Sequence, residues 1–244
     1  MNALSKTFSI KNNLRDIKEF KFKTKILLIS SLIITFVTFV ISKEFSNWIG
    51  WVSLVASVFS LINLMLCDEG KITNYGWGLA ESTLFLLIDL ENRLIGDFAT
   101  NIYYLITQFM GIFLWDKQIE QQKQQAVIKP RKLTKLQIGL IVIGILMIYG
   151  IVLYFSKTFH GTQIYLDATL LPLSIIGMLL MMGGYRSQWL VWIAWDVVSL
   201  IIWYNQFKAF SPASASMFAL EIMKLANGCY GAYMWFVENE KVAK

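Results

Sequence analysis

Eight apolar stretches, each close to the length that crosses a bilayer, occupy most of the chain: residues 26–42, 47–66, 73–90, 97–115, 137–155, 165–183, 187–205 and 215–236. A spanning helix takes about 20 mostly apolar residues. Only helices and closed barrels satisfy every backbone polar group in hydrocarbon. The pattern therefore predicts an all-α membrane protein with eight transmembrane helices, of which the third, fourth, seventh and eighth are the least purely apolar. The first stretch does not read as a signal peptide: its apolar run from Ile26 to Ile41 is long, a basic leader (1–25) precedes it, and no small-residue cleavage site follows. Charged residues make up 16% of the chain, against roughly 25% in soluble domains, which excludes an ordinary soluble enzyme.

The basic residues test this count independently. With eight crossings, the N-terminus, the loops 67–72, 116–136 and 184–187, and the C-terminal tail share one side. They hold 17 of the 22 Lys and Arg residues. The other side holds Lys43, Arg93, Lys157 and Lys208, and Lys224 lies within a helix. That segregation places both termini in the cytoplasm. The net charge of +6 thus reads as topology, and no nucleic-acid partner is expected.

The two halves of the chain resemble each other. In the first, the apolar helix 47–66 leads through a turn to Asn74-Tyr75-Gly76-Trp77-Gly78 and a helix carrying Glu81, then to a helix ending at Gly111 and Trp115. In the second, helix 165–183 leads through Gly183-Gly184-Tyr185-Arg186 to Trp189-Leu190-Val191-Trp192 and Asp196, then to Gly231 and Trp235. Tyr75 to Trp189 and Gly78 to Trp192 are both steps of 114 residues, and Gly111 to Gly231 and Trp115 to Trp235 are both steps of 120. The expected organisation follows: a basic cytoplasmic N-terminus (1–25), an extra N-terminal helix (26–42) and a first three-helix repeat (47–115). A cytoplasmic loop (116–136), a linking helix (137–155), a second repeat (165–236) and a cytoplasmic tail (237–244) complete it. One linking helix makes the repeats parallel, an arrangement of transporters that bind substrate at the repeat interface.

Ionisable side chains within membrane helices are costly and mark functional sites by default. Glu81, Asp196, Glu221 and Lys224 qualify, with a formal sum of −2. Trp189, Trp192, Asp196, Ser199 and Trp203 recur at helical spacing, as do Asn101, Tyr104, Gln108, Gly111 and Trp115. Lys224, Asn227, Tyr230 and Gly231 share one face of the last helix, and Glu221 is placed to pair with Lys224. Two tryptophans one turn apart can stack on a flat ring, and their π-faces favour cations. Such a cavity suits a flat, positively charged aromatic solute, with Asn, Gln and Tyr groups for its hydroxyls. Asn227 and Gln108 equally suit hydrogen bonding between helices. Trp115, Trp203 and Trp235, near helix ends, read as an interfacial belt, and Pro172 as a kink. Cys67, Cys229 and the single His160 form no disulfide framework, metal site or catalytic triad, so neither metal nor cofactor is expected. No phosphate-binding loop is present, which argues against ATP-driven transport and a phosphorylated substrate.

The repeat, Trp189-x-x-Trp192, the Asn227/Tyr230 face and the turn Gly70–Gly78 (GKITNYGWG) together resemble the Pnu vitamin transporters over residues 47–236. The resemblance implies a three-plus-one-plus-three fold like that of full-length sugar-transporting SWEET proteins, assembled as a homotrimer in the bacterial inner membrane. It implies facilitated diffusion of nicotinamide riboside by alternating access, trapped by cytosolic phosphorylation. The tryptophan pair would then bind substrate. Thiamine, another cationic aromatic vitamin, fits the same charge argument; a membrane-embedded ligand sensor is the alternative of a different class.

Overall fold

A computed structural model of the protein describes residues 2–91, 95–121, 127–158, 164–208 and 214–238. Eight long helices carry the apolar stretches: α3 (Phe22–Ile41), α4 (Trp48–Asp68), α5 (Asn74–Glu91), α6 (Ile95–Gln121), α7 (Lys135–Thr158), α8 (Ile164–Met182), α9 (Gln188–Lys208) and α10 (Ser214–Tyr233). They are preceded by α1 (Ala3–Phe8) and α2 (Ile10–Lys18), and α10 runs on as a π-helical turn through Met234–Glu238. By length and composition alone, α3, α4, α7 and α8 suffice to cross a membrane. The other four long helices are those interrupted by polar side chains, which is the division expected from sequence.

Local chemistry sets several boundaries. The Asn47 side chain accepts the Ile49 N–H at the start of α4. Thr134 and Gln137 form a reciprocal capping box at the start of α7: the Gln137 N–H donates to Thr134 Oγ1 (3.3 Å), and the Thr134 N–H to Gln137 Oε1 (2.9 Å). α6 outruns its apolar stretch by six residues, Asp116–Gln121. These are mostly good helix formers, and Gln118 Nε2 donates to the Met182 carbonyl at 3.1 Å. The loop expected over 116–136 therefore begins as helix. Pro172 lies inside α8 without ending it.

α4 and α8 end in matching turns. Gly70 (φ +66°) and Gly184 (φ +67°) take the left-handed conformation that favours glycine. The Lys71 N–H reaches back to the Leu66 carbonyl and the Tyr185 N–H to the Leu180 carbonyl, both at 2.9 Å. The same linker joins both turns: the Ile128 N–H donates to the Gly70 carbonyl (3.0 Å) and the Arg131 N–H to the Gly184 carbonyl (2.8 Å). Helix contacts follow the same pairing. α3 packs on α4 as α7 packs on α8, and α4 meets α10 as α8 meets α6. The seams α4/α10 and α6/α8 join the two halves.

The basic N-terminus is more than a charged flank. α1 and α2 dock on the turn end of the bundle: Lys6 pairs with Asp116 (2.6 Å) and Glu120 (3.0 Å) on α6. The hydrogen bond from Lys6 to the Asp116 carboxylate holds that ammonium above its ordinary range. The tail beyond residue 238, the loop residue Arg93 and His160 lie outside the described residues.

Candidate substrate site

The site is built on the two seams. At the turn end, four aromatic side chains fill the centre, and all are buried: Tyr75, Trp115, Trp189 and Trp235. Trp115 crosses the α6/α8 seam by donating its indole N–H to the Met181 carbonyl (2.8 Å). Trp235 crosses the α4/α10 seam by donating to the Asp68 carbonyl (2.8 Å). Tyr75 meets Trp115 edge-on at 5.1 Å and Trp189 meets Trp235 edge-on at 6.1 Å. Trp115 and Trp235 were expected in the interfacial belt. They are core residues instead, because each indole N–H finds a helix-end carbonyl inside the bundle.

Close packing here depends on two glycines. A Cβ on Gly111 would sit 2.2 Å from the Tyr75 ring, and one on Gly231 would sit 2.7 Å from the Trp189 ring and 2.4 Å from Asp68 Oδ1. The spacing of 114 and 120 residues seen in the sequence thus has a steric cause: each ring needs a bare backbone on the neighbouring helix. Beside Gly231, Asn227 Nδ2 faces Asp68 Oδ1 at 3.5 Å, and both residues are buried. Asp68 Oδ2, Asn227 Oδ1, Tyr75 Oη, Trp189 Nε1 and both amide atoms of Gln188 are buried without a hydrogen-bond partner among the described residues. Buried polar groups are normally hydrogen-bonded, so this concentration marks a place where a polar solute or water belongs.

Farther from the turn end, Tyr104 donates to Ser174 Oγ at 2.8 Å across the α6/α8 seam, and its ring lies 6.5 Å from that of Trp192. Trp192 packs over Gly177, where a Cβ would come within 2.9 Å of its indole. Gln108 lies on α6 against Gly78 and donates to Ser82 Oγ at 3.1 Å. Asn101 is half-buried and stands one turn from Tyr104 on the same helix. At the other seam, Lys224 pairs with Glu221 at 3.1 Å and stands 5.4 Å over the Trp195 ring. Its charge also acts on Glu81 and Asp196. Glu81 is held by Asn63 (3.0 Å) and by the Ser60 hydroxyl. Ser60 and Ser174 are themselves 114 residues apart, so a matching hydroxyl stands at each seam.

The structure thus gathers most of the expected residues along the seams, in two tiers. Trp189 and Asn227 lie in the aromatic tier; farther from the turn end, Trp192 and Tyr104 meet at the α6/α8 seam, while Glu81 and Asp196 gather around Lys224 in the charged tier. Tyr230 packs against the aromatic cluster and directs its hydroxyl toward α3, 2.8 Å from Thr24 Oγ1. Asp68, Gln188, Ser174 and Asn63 escaped the sequence reading. The carboxylate of Asp68 sits at a helix end, where it reads as a loop charge, but the step of 114 from Ser60 to Ser174 was available as a signal. Among the described residues, no group of three or more His, Cys, Asp or Glu side chains could hold a metal ion.

The family described as nicotinamide mononucleotide transporter matches residues 50–237. The chain belongs to this family. Relatives include the nicotinamide riboside transporter PnuC of Neisseria mucosa, 27% identical over 191 residues that cover 76% of this chain and 72% of that protein. The nicotinamide riboside transporter PnuC of Haemophilus influenzae is 25% identical over 189 residues, covering 76% of this chain and 79% of that one. The crystal structure of the vitamin B3 transporter PnuC superposes with a TM-score of 0.78 at 26% identity, covering 96% of this chain and 99% of that chain. Apolar helices and family membership make the chain a multi-pass membrane protein. The other transporters of the family supply the frame in which the two seams acquire a role.

Proposed function

We propose that this chain carries nicotinamide riboside across the bacterial inner membrane, by facilitated diffusion with alternating access and trapping by cytosolic phosphorylation. The observation that carries the reading is the charged tier. Glu81, Asp196 and Glu221 surround Lys224, which stands over the Trp195 ring, and Trp192, one helical turn before Asp196 on α9, meets Tyr104. A pyridinium ring is attracted to indole faces and to net negative charge. Net negative charge would repel a phosphate, so the riboside suits the site better than the mononucleotide of the family description. The riboside hydroxyls would meet Asn227, Gln188 and Gln108.

The architecture of the proposal is two parallel repeats of three helices, α4–α6 and α8–α10, linked by α7, with α3 as an added N-terminal helix. The matching turns and matching seams support it. The turn end is assigned to the cytoplasm on the basic residues it gathers. The indole bonds Trp115–Met181 and Trp235–Asp68 each cross one seam there, so opening that end requires both to break. Rocking of one repeat against the other would expose the charged tier to either side in turn. The homotrimer implied by the resemblance is part of this reading; α7, with no buried side chain over Lys135–Phe155, offers the face for it.

Uptake of labelled nicotinamide riboside into proteoliposomes tests the proposal. Saturable uptake without ATP, lost when Trp189 and Trp192 are both changed to Ala, is expected. Tight binding without flux would make the chain a sensor, and unchanged uptake in the double variant would refute the site.

A further inference from the structure

α2 is nine residues long and presents three distinct faces. At 100° per residue, Asn13 and Asp16 fall on one side. They bind the bundle: Asn13 Oδ1 accepts the Trp77 indole N–H (2.8 Å), and Asp16 Oδ2 accepts the Thr73 hydroxyl (2.9 Å). About a right angle away lie Ile10 and Leu14, which are 77% and 53% exposed. Ile17 borders them and tucks against the apolar cluster of α3 and α4. Beyond that stripe, farther from the docked side, come Lys11, Arg15 and Lys18, all exposed. Arg15 also touches Asp16 at 3.2 Å.

The position of the helix gives these faces a direction. Only Glu19–Lys21 separate α2 from α3, whose first residue, Phe22, is also 77% exposed. Thr73 immediately precedes α5 and Trp77 lies in its first turn, so α2 sits level with the first turns of two spanning helices. That is the depth of lipid headgroups. A helix with protein on one side, an apolar stripe at right angles to it and a basic flank fits a helix lying in the membrane plane. Exposed Ile and Leu side chains here would otherwise face water. Lysines and arginines at this depth attract anionic headgroups.

We infer that α2 is an interfacial helix that seats Ile10 and Leu14 among the acyl chains and holds anionic phospholipid headgroups with Lys11, Arg15 and Lys18. The inference uses the membrane reading of the chain but no property of its substrate. The occupant is the leaflet on the turn side. Because α2 is fixed to Thr73 and Trp77, the lipid surface would hold the α4–α5 turn from outside.

The test places a fluorescent label at Leu14→Cys in a Cys229→Ser background, since Cys229 is exposed and Cys67 buried. The full chain is reconstituted in vesicles of phosphatidylglycerol and phosphatidylcholine, or of phosphatidylcholine alone. Quenching by spin-labelled lipid, severalfold stronger than by the neutral aqueous quencher acrylamide in the anionic vesicles, is expected. That preference should fall severalfold in the neutral vesicles and when Lys11, Arg15 and Lys18 are changed to Gln. Acrylamide quenching that dominates in anionic vesicles overturns the inference. So does lipid quenching that ignores both headgroup charge and the three substitutions. An unchanged melting temperature of the triple variant verifies that it is folded. Since no substrate is used, failure here is separate from failure of the transport assay.

Discussion

Gly231→Ala is the most informative single perturbation, because the added methyl meets two groups that cannot yield. The Cβ would lie 2.7 Å from the Trp189 ring and 2.4 Å from Asp68 Oδ1. Both side chains are buried, at 1% exposure each, and the Trp189 ring also meets Trp235 edge-on. Overpacking a filled core costs about 1–3 kcal/mol, and two immobile neighbours put this case in the upper half of that range. Replacing glycine by alanine within a helix returns about 1 kcal/mol, leaving a net loss of about 1–2 kcal/mol. For a chain of this size each kcal/mol moves the melting temperature by about 2–4 °C, so a fall of about 2–8 °C is predicted. The control is Gly139→Ala on α7, where nothing lies within 4 Å of the added carbon; it should melt at or slightly above the wild type. Tryptophan-fluorescence unfolding in detergent reads the stability. A titration with nicotinamide riboside should give weaker binding for Gly231→Ala, because the methyl displaces the Trp189 ring; each 1.4 kcal/mol of binding energy lost would read as a factor of about ten. A variant that melts like the wild type and binds with unchanged affinity would refute the packing argument and the place of Trp189 in the site.

Further outcomes follow from the same geometry. Trp235→Phe removes one seam-crossing bond; it should cost about 0.5–1.5 kcal/mol and speed thiol labelling of buried Cys67 severalfold in a Cys229→Ser background, and unchanged labelling would count against a role of that bond in holding the turn end closed. Lys224→Met leaves three carboxylates without their cation, a change on the order of 3–5 kcal/mol; adding Glu221→Gln should restore part of the lost melting temperature, and a double variant no better than the single would contradict the coupling. Lys6→Ala breaks a partly exposed ion pair and should change stability by less than about 1 kcal/mol. Because the folded Lys6 is raised above its usual value by Asp116, its contribution is complete below pH 10.5 and fades only above it, so its effect on melting should be the same at pH 7 and pH 9.

The long helices, their less apolar members and the 114-residue echo were legible because each is a one-dimensional pattern with a physical period. Hydrocarbon demands long apolar runs, and two rings that need bare backbones repeat their glycines at fixed distances. The charged tier was legible for a similar reason: Glu81, Asp196 and Lys224 stand out wherever the surroundings are apolar. What sequence concealed was direction. Tyr230 shares a helical face with Asn227, yet α3 claims its hydroxyl through Thr24. Trp115 and Trp235 lie near helix ends, as belt residues do, and only the facing carbonyls of Met181 and Asp68 make them core. The N-terminal leader looked like charge alone, because the polar contacts of Asn13 and Asp16 are made to residues some 60 positions away.

The account stands or falls on what the seams recognise, and a calorimetric titration of the purified protein with nicotinamide riboside and with thiamine measures that directly. Saturable binding of nicotinamide riboside, undisturbed by excess thiamine and abolished when Trp189 and Trp192 are both changed to Ala, is predicted. Preference for thiamine, or no binding of nicotinamide riboside by folded protein, would contradict it.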